Sequence, residues 1–187
     1  MTAKRTAENR LPGDADAQAL VARFLRVDQA GEYGATRIYA GQLAVLGKDN
    51  TGAVEEIRRM AEQERRHLAR FDRLMVERRV RPTLLSPIWH VAGFALGAAS
   101  AMLGPKAAMA CTEAVEEVID GHYASQAAQL GDDEAELRRE IEEFRAEEIA
   151  HRDTAREHGA RGAPAYGLLS GAVKTASRLA IWLSERV

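Results

Sequence analysis

The sequence is as informative in what it lacks as in what it contains. Its single cysteine, Cys111, cannot form an intramolecular disulfide and fits a reducing compartment. Excess charge is missing too. The formal net charge of −2 over 187 residues gives no electrostatic case for nucleic acid. The first 16 residues are polar, with no apolar core of a secretory signal and no mitochondrial presequence pattern, so a bacterial protein or a mature chain is expected. No G-x-G-x-x-G follows a strand-like run, so no dinucleotide-binding domain is expected. Alternating strand patterns are absent throughout, which leaves an all-α class. Charge itself is absent from Thr83 to Pro105, where His90 is the only ionisable residue.

What is present is helical periodicity broken by turn formers. Residues 1–15 read as a disordered tail ending in the breaker "LPGD", and 16–187 as one domain. A first helix is expected from Asp16 to Leu46, stopped by Gly47. A second starts at Asn50 or Thr51 and ends near Arg79, before Pro82. Ser86 and Pro87 read as N-cap and first residue of a third, ended by Gly104-Pro105. A fourth covers Lys106–Leu130, and a fifth is capped by Asp132 or Asp133 and ends at Gly159 after His158. After the linker "ARGAPAYG" a C-terminal amphipathic helix lies within 167–187.

A repeat runs through this pattern. Glu32, Glu64 and His67 recur as Glu116, Glu148 and His151, each shifted by 84 residues. Around them "DQAGEYGATRIYAGQLAVLG" aligns with "TEAVEEVIDGHYASQAAQLG", matching Tyr39 with Tyr123 and Gln42 with Gln126. Two related helical hairpins are expected. Each E-x-x-H puts Glu and His one turn apart on one face. Two such pairs, plus one Glu from each of two other helices, form a ligand set for two metal ions inside a four-helix bundle. Carboxylate and imidazole suit iron or manganese, and the lack of thiolates argues against structural zinc. In that arrangement Glu64 and Glu148 bridge, while Glu32, Glu116, His67 and His151 are terminal. An accidental E-x-x-H on an acidic helix explains one copy, but not two in register with two further glutamates.

Several neighbours have two readings. Tyr39 and Tyr123 lie on the faces of Glu32 and Glu116, as core packing or as hydrogen-bond partners of the site. Asp28, one turn before Glu32, is placed to orient a ligand histidine or to serve as a cap. His122 and Tyr123 are candidates for proton or electron delivery. His90 reads as an interface residue, His158 as a helix C-terminal charge and Cys111 as a small core residue. Gly31 and Gly34 cost helix stability of about 1 kcal/mol each. They either leave space beside one metal or permit close helix packing, and their repeat partners are Val115 and Val118.

"VDQAGEYGATRIYAGQ", "QERRHL", "RVRPT", "GFALGA", "ACTEAVEEVIDGHY", "FRAEEIAHRD" and "APAYGLL…LSERV" resemble the demethoxyubiquinone hydroxylase family over about residues 23–187. The resemblance implies a ferritin-like bundle holding two iron ions on Glu32, Glu64, His67, Glu116, Glu148 and His151. It implies O₂-dependent hydroxylation of the ring of a demethoxylated polyprenyl quinol in ubiquinone biosynthesis. It also implies a peripheral place on the membrane that holds this lipid: the cytoplasmic face of a bacterial cell membrane, or the matrix face of the inner membrane in a mitochondrion. A homo-oligomer or biosynthetic complex is compatible with it. A membrane quinol oxidase and an iron-storage or peroxide-scavenging ferritin relative share the ligand set. A non-enzymatic assembly or lipid-presenting protein would not need all six ligands. The apolar segment 83–105 reaches the minimum length of a spanning helix, but Gly, Ala and its prolines make it a poor one, and Pro87 shortens the usable run to about 16–18 residues. It and the last helix are expected to lie in the membrane interface, with Trp89, Phe94, Leu96 and Trp182 toward lipid. The segment Leu84–Met109 is expected to form an apolar path to the metals.

Overall fold

The computed structural model describes residues 16–49 and 51–187. The expected tail, 1–15, and Asn50 lie outside the described residues. Every regular element among those described is helical: α1 (Ala17–Leu46), α2 (Gly52–Glu77), α3 (Ser86–Met102), α4 (Pro105–Gln129), α5 (Ala135–Glu157) and α6 (Tyr166–Ser184). Short 3-10 turns precede α5 (Asp132–Glu134) and α6 (Ala160–Gly162).

The ends follow local chemistry, with some shifts from expectation. Thr51 caps α2, its Oγ1 accepting from Val54 N at 3.4 Å. Ser86 is inside α3 rather than its cap. Its hydroxyl donates to Thr83 O at 2.9 Å, and Leu85 is the cap residue. Pro105 opens α4 rather than only ending α3, because proline's missing N–H is harmless at a first helical position. Asp132 and Asp133 fall in the 3-10 turn, so Glu134 is the residue before α5, without a side-chain cap. His158 does end α5, followed by Gly159 with φ of 84°.

The connection from 47 to 51 folds α2 back on α1, and that from 130 to 134 folds α5 back on α4. In α4 every residue from Ala107 to Glu116 is buried, as a helix surrounded on all sides must be. The repeat turns out to be larger than a hairpin. α3 packs on α1 as α6 packs on α4. Shifted by 84 residues, α3 would span 170–186, overlapping α6. Ser100 and Ser184, equivalent in that register, are both buried. The molecule is therefore two three-helix units, with α1, α2, α4 and α5 carrying the ligands.

α3 reaches α1 very closely: a Cβ on Gly97 would run into the Ile38 carbonyl. Beside it the Arg37 guanidinium stands 5.1 Å over the Phe94 ring, and the Tyr33 hydroxyl lies 2.6 Å from His90 Nδ1. His90 thus sits at the α1–α3 contact while remaining exposed. In the other unit the buried Glu113 carboxylate receives Arg156 Nε at 2.6 Å and the Tyr166 hydroxyl at 3.0 Å, tying the start of α6 to α4 and α5. Those bonds hold the Glu113 carboxyl below its usual range although burial pushes it up.

The outer faces of α3 and α6 leave large apolar side chains exposed, among them Ile88, Val91, Leu168, Leu179 and Trp182. Among the described residues no helix is long and apolar enough to cross a membrane. Three of the four side chains expected to face lipid point elsewhere. Phe94 is half-buried beneath Arg37, and Trp89 and Leu96, also half-buried, line a cavity partly open to the surface, because α3 turns that face toward α1 and α6.

Candidate metal centre

All six expected ligands converge and are buried. Glu32, Glu64, His67 and Glu148 offer ligand atoms within 4.8 Å of one another, and so do Glu64, Glu116, Glu148 and His151. Glu64 and Glu148 belong to both groups, as bridging residues must. Each E-x-x-H supplies its half for the helical reason already given. His67 Nδ1 lies 3.0 Å from Glu148 Oε1, and His151 Nδ1 lies 3.1 Å from Glu64 Oε1 and 3.0 Å from Glu148 Oε2.

The electrostatics are those of a cage crowded with carboxylates. Burial, and then the other carboxylates, hold Glu64 well above the ordinary carboxylate range. Glu116 is raised by burial and by Glu148. Burial pushes Glu148 up as well, but its bonds to His151 and His67 outweigh that and pull it to about 2. Burial lowers His67, yet its bonds to Glu148 and Glu32 raise it to about 11. Without metal, the cage is thus neutralised by protons. Glu32 Oε2 and Glu64 Oε1 are buried without a well-aligned hydrogen bond, the nearest histidine nitrogens standing 3.6 Å and 3.1 Å away. Such acceptors cost several kcal/mol unless a cation meets them, by the order of magnitude for buried charge. Four carboxylates and two imidazoles therefore fit two divalent ions of the iron or manganese type.

The tyrosines cross between the units. The Tyr39 hydroxyl donates to Glu116 Oε1 at 3.0 Å, and that of Tyr123 donates to Glu32 Oε1. Both stay protonated, held well above the ordinary phenol range first by burial and then by the carboxylates. They are buried and bonded to the cage, so both readings hold. Gln42 and Gln126 repeat the crossing. Gln42 Nε2 reaches Ala108 O at 3.0 Å and Thr112 Oγ1 at 3.4 Å, whereas Gln126 Nε2 reaches Asp28 Oδ1 at 2.7 Å.

Asp28 does not orient a ligand histidine. Its Oδ1 lies 3.3 Å from His122 Nε2 and accepts from Gln126 Nε2 at 2.7 Å. Burial raises its pKa, opposed by His122 and Gln126. The outer Nε2 atoms are met instead by Glu147, 2.9 Å from His67, and Gln63, 3.1 Å from His151. The sequence reading missed both. Their signal was available: each directly precedes a bridging glutamate, and they match each other in the 84-residue register. Cys111 is a buried core thiol, pushed up to about 12 by burial.

A cavity of about 250 Å³ lies between α1, α3, α4 and α6. Its wall is apolar apart from Ser177 and Ser184, the latter accepting from Trp89 Nε1 at 3.1 Å. Val27, Gly31, Ala35, Ile119 and Ile181 line both this cavity and the pocket that contains Glu32, Glu64, Glu116 and Glu148. Gly31 and Gly34 provide space here: a Cβ at Gly34 would meet nothing within 4 Å, and one at Gly31 only Ile119 Cδ1 at 3.8 Å. From the segment Leu84–Met109, Trp89, Gly93 and Leu96 line this cavity, and α6 supplies a wall that periodicity did not assign.

The sequence model described as "Ubiquinone biosynthesis protein COQ7" matches residues 19–184. The chain is 61% identical over 184 residues to a 3-demethoxyubiquinol 3-hydroxylase of Rhodospirillum rubrum, covering 98% of this chain and 86% of that one. It is 51% identical over 174 residues to the mitochondrial NADPH-dependent 3-demethoxyubiquinone 3-hydroxylase of Homo sapiens, covering 91% and 79%. The mitochondrial 5-demethoxyubiquinone hydroxylase of Saccharomyces cerevisiae is 42% identical over 188 residues, covering 92% and 81%.

Proposed function

The chain belongs to the ubiquinone biosynthesis protein COQ7 family, and from that premise we propose that it is a 3-demethoxyubiquinol 3-hydroxylase, an O₂-dependent monooxygenase with two iron ions per chain. The overall change inserts one oxygen atom into a ring C–H bond and releases the other as water, consuming two electrons and two protons. The electrons come from the quinol or an external reductant. Iron held by Glu32, Glu64, His67, Glu116, Glu148 and His151 supplies the O₂ activation. The contact between an apolar cavity and the carboxylate cage carries this reading. A storage protein has no use for such a cavity, whereas a polyprenyl quinol needs an apolar way to the metals.

The chain's residues divide the remaining work. Gly31 and Gly34 leave room for a planar ring on the cage side of the cavity. The apolar wall excludes water from the reacting ring. His122, partly exposed beside buried Asp28, moves protons between the surface and the cage pocket. Tyr123, through its bond to Glu32, holds that ligand in place and stands on the same route. Residues 16–187 act as one unit in this reading.

Ile88, Val91, Leu168, Leu179 and Trp182 dock the outer face of α3 and α6 on a membrane without spanning it. That membrane is the bacterial cytoplasmic membrane, or the inner membrane from the matrix side in a mitochondrion. Val91→Glu with Leu179→Glu should release the protein from vesicles while leaving its iron in place.

The reaction is tested by supplying ¹⁸O₂, reductant and a demethoxyubiquinol to the iron-loaded protein and weighing the product quinone. One labelled atom in the ring supports the monooxygenase. Label found only in water would establish a quinol oxidase instead.

A further inference from the structure

The two halves of the cage differ in what stands behind the histidines. Glu147 Oε2 accepts from Gln63 Nε2 at 3.0 Å and lies 2.9 Å from His67 Nε2. Gln63 Oε1 lies 3.1 Å from His151 Nε2 and accepts Arg59 Nη1 at 3.0 Å. This chain sets the hydrogen positions. A carboxylate only accepts, so His67 Nε2 carries a proton toward Glu147. Gln63 spends its amide N–H on Glu147, so its carbonyl faces His151, whose Nε2 is likewise the donor. Both Nδ1 atoms face Glu148 at 3.0 Å, and a metal ion that displaces their protons would find both lone pairs turned toward it. The tautomers match while the partners do not: one outer nitrogen donates to an anion, the other to a neutral amide.

We propose that Glu147 is a positioning residue that makes the two metal positions unequal, by giving His67 an anionic partner where Gln63 gives His151 a neutral one. Hydrogen bonds to an ionised acceptor are roughly twice as strong as neutral ones. A carboxylate behind a ligating imidazole raises its basicity toward the metal. The ion held by His67 with Glu32 is therefore bound more tightly and is more electron-rich than the ion held by His151 with Glu116. This rests on the two-metal reading above. Nothing in the ligand set itself breaks the equivalence, because each position has one His, one terminal Glu and the same two bridges.

The test uses the full chain loaded with ⁵⁷Fe(II) under anaerobic conditions and titrated with a chelator, with Mössbauer spectra of the iron that remains. The native protein should lose its ions in two steps, and the two quadrupole doublets should disappear in turn. In E147Q the later step should move to a chelator concentration about 10–100-fold lower, the range seen when such outer partners are changed, with only one doublet altered. The swap Q63E/E147Q keeps the composition and should restore two steps. A merely structural role would move both steps together. The inference is overturned by E147Q shifting neither step or both equally, and by a swap that behaves like E147Q. Two native irons leaving in a single step would overturn it alone. Fewer than two irons on the native protein would instead defeat the two-metal reading.

Discussion

The unit α1–α3 and the unit α4–α6 share a plan and differ at a handful of positions that carry most of the chemistry. The ligands, Tyr39/Tyr123 and Gln42/Gln126 are the same in both. Each tyrosine and each glutamine reaches into the opposite unit, so neither half holds its own site. The differences are directional. Asp28 and His122 in one crossing correspond to Thr112 and Ile38 in the other. Gly31 and Gly34 correspond to Val115 and Val118, and Glu147 to Gln63. Thus the matched residues build the cage. The unmatched ones place a titratable pair on one side, open a cavity beside it and vary the support of the histidines. The repeated bundle thus encloses a site that is apolar and open on one side.

The shared part should break most severely. Glu64→Ala or Glu148→Ala removes a bridge and should cost both ions and all hydroxylation, read by metal analysis of the purified protein. Glu32→Ala and Glu116→Ala should each chiefly weaken one ion. Equal loss in all four would remove the distinction between bridging and terminal ligands.

The cavity comes next. Gly31→Val with Gly34→Val makes the first unit resemble the second at these positions. The space at Gly34 accepts the new atoms without a clash, so folding and iron content should persist. The quinol's kcat/KM should fall by at least about tenfold, the scale of one or two lost methylene-sized spaces in an apolar site. Unchanged kinetics would move the substrate path elsewhere.

A smaller effect is expected at the titratable pair. His122→Ile copies the other half and leaves buried Asp28 without its imidazole. Stability should fall by about 1–3 kcal/mol, the cost of an unsatisfied buried polar group. Adding Asp28→Thr should recover part of that loss, measured by denaturant melts of the iron-free variants. Full additivity would mean that the pair is not coupled.

The smallest shift is in pH. His67 without metal rises from its ordinary 6.5 to about 11. Its contribution to stability is complete below pH 6.5 and disappears as the pH climbs toward 11. Glu64 and Glu116 are raised too, so deprotonating them also destabilises the metal-free fold above their ordinary 4.5. Glu148 acts oppositely, its share being present above 4.5 and lost toward pH 2. The metal-free Tm should therefore decline from pH 4.5 upward, and more steeply above 6.5, while the iron-loaded Tm declines less. Metal binding should release protons, detectable by calorimetry in buffers of different ionisation heat.

The helices, the convergence of the six candidate ligands and the sharing of Glu64 and Glu148 between both groups were legible in the sequence. Helical spacing places E-x-x-H on one face, and a repeat register forces its second copy to the same depth. Capping was less legible at Ser86 and Asp132, where one residue's shift in the chain path changes which side chain meets the free N–H groups. Asp28 shows the limit more sharply. Its position one turn from a ligand was plain, but its partner was decided by which residue of α4 crosses it, and that residue is His122. Exposure was also undecided: Trp89 and Leu96 have the composition of lipid-facing residues and instead face the cavity. By itself the sequence determined the class, the repeat and the ligand chemistry, because these depend on residue type and spacing along one chain. Only the tertiary structure decided the three-helix extent of the repeat, the crossing of Tyr39 and Tyr123, the Gln63–Glu147 chain and the cavity walled by α6. Each of these depends on which faces of different helices meet, and the order of residues along a helix does not specify its rotation against a neighbour.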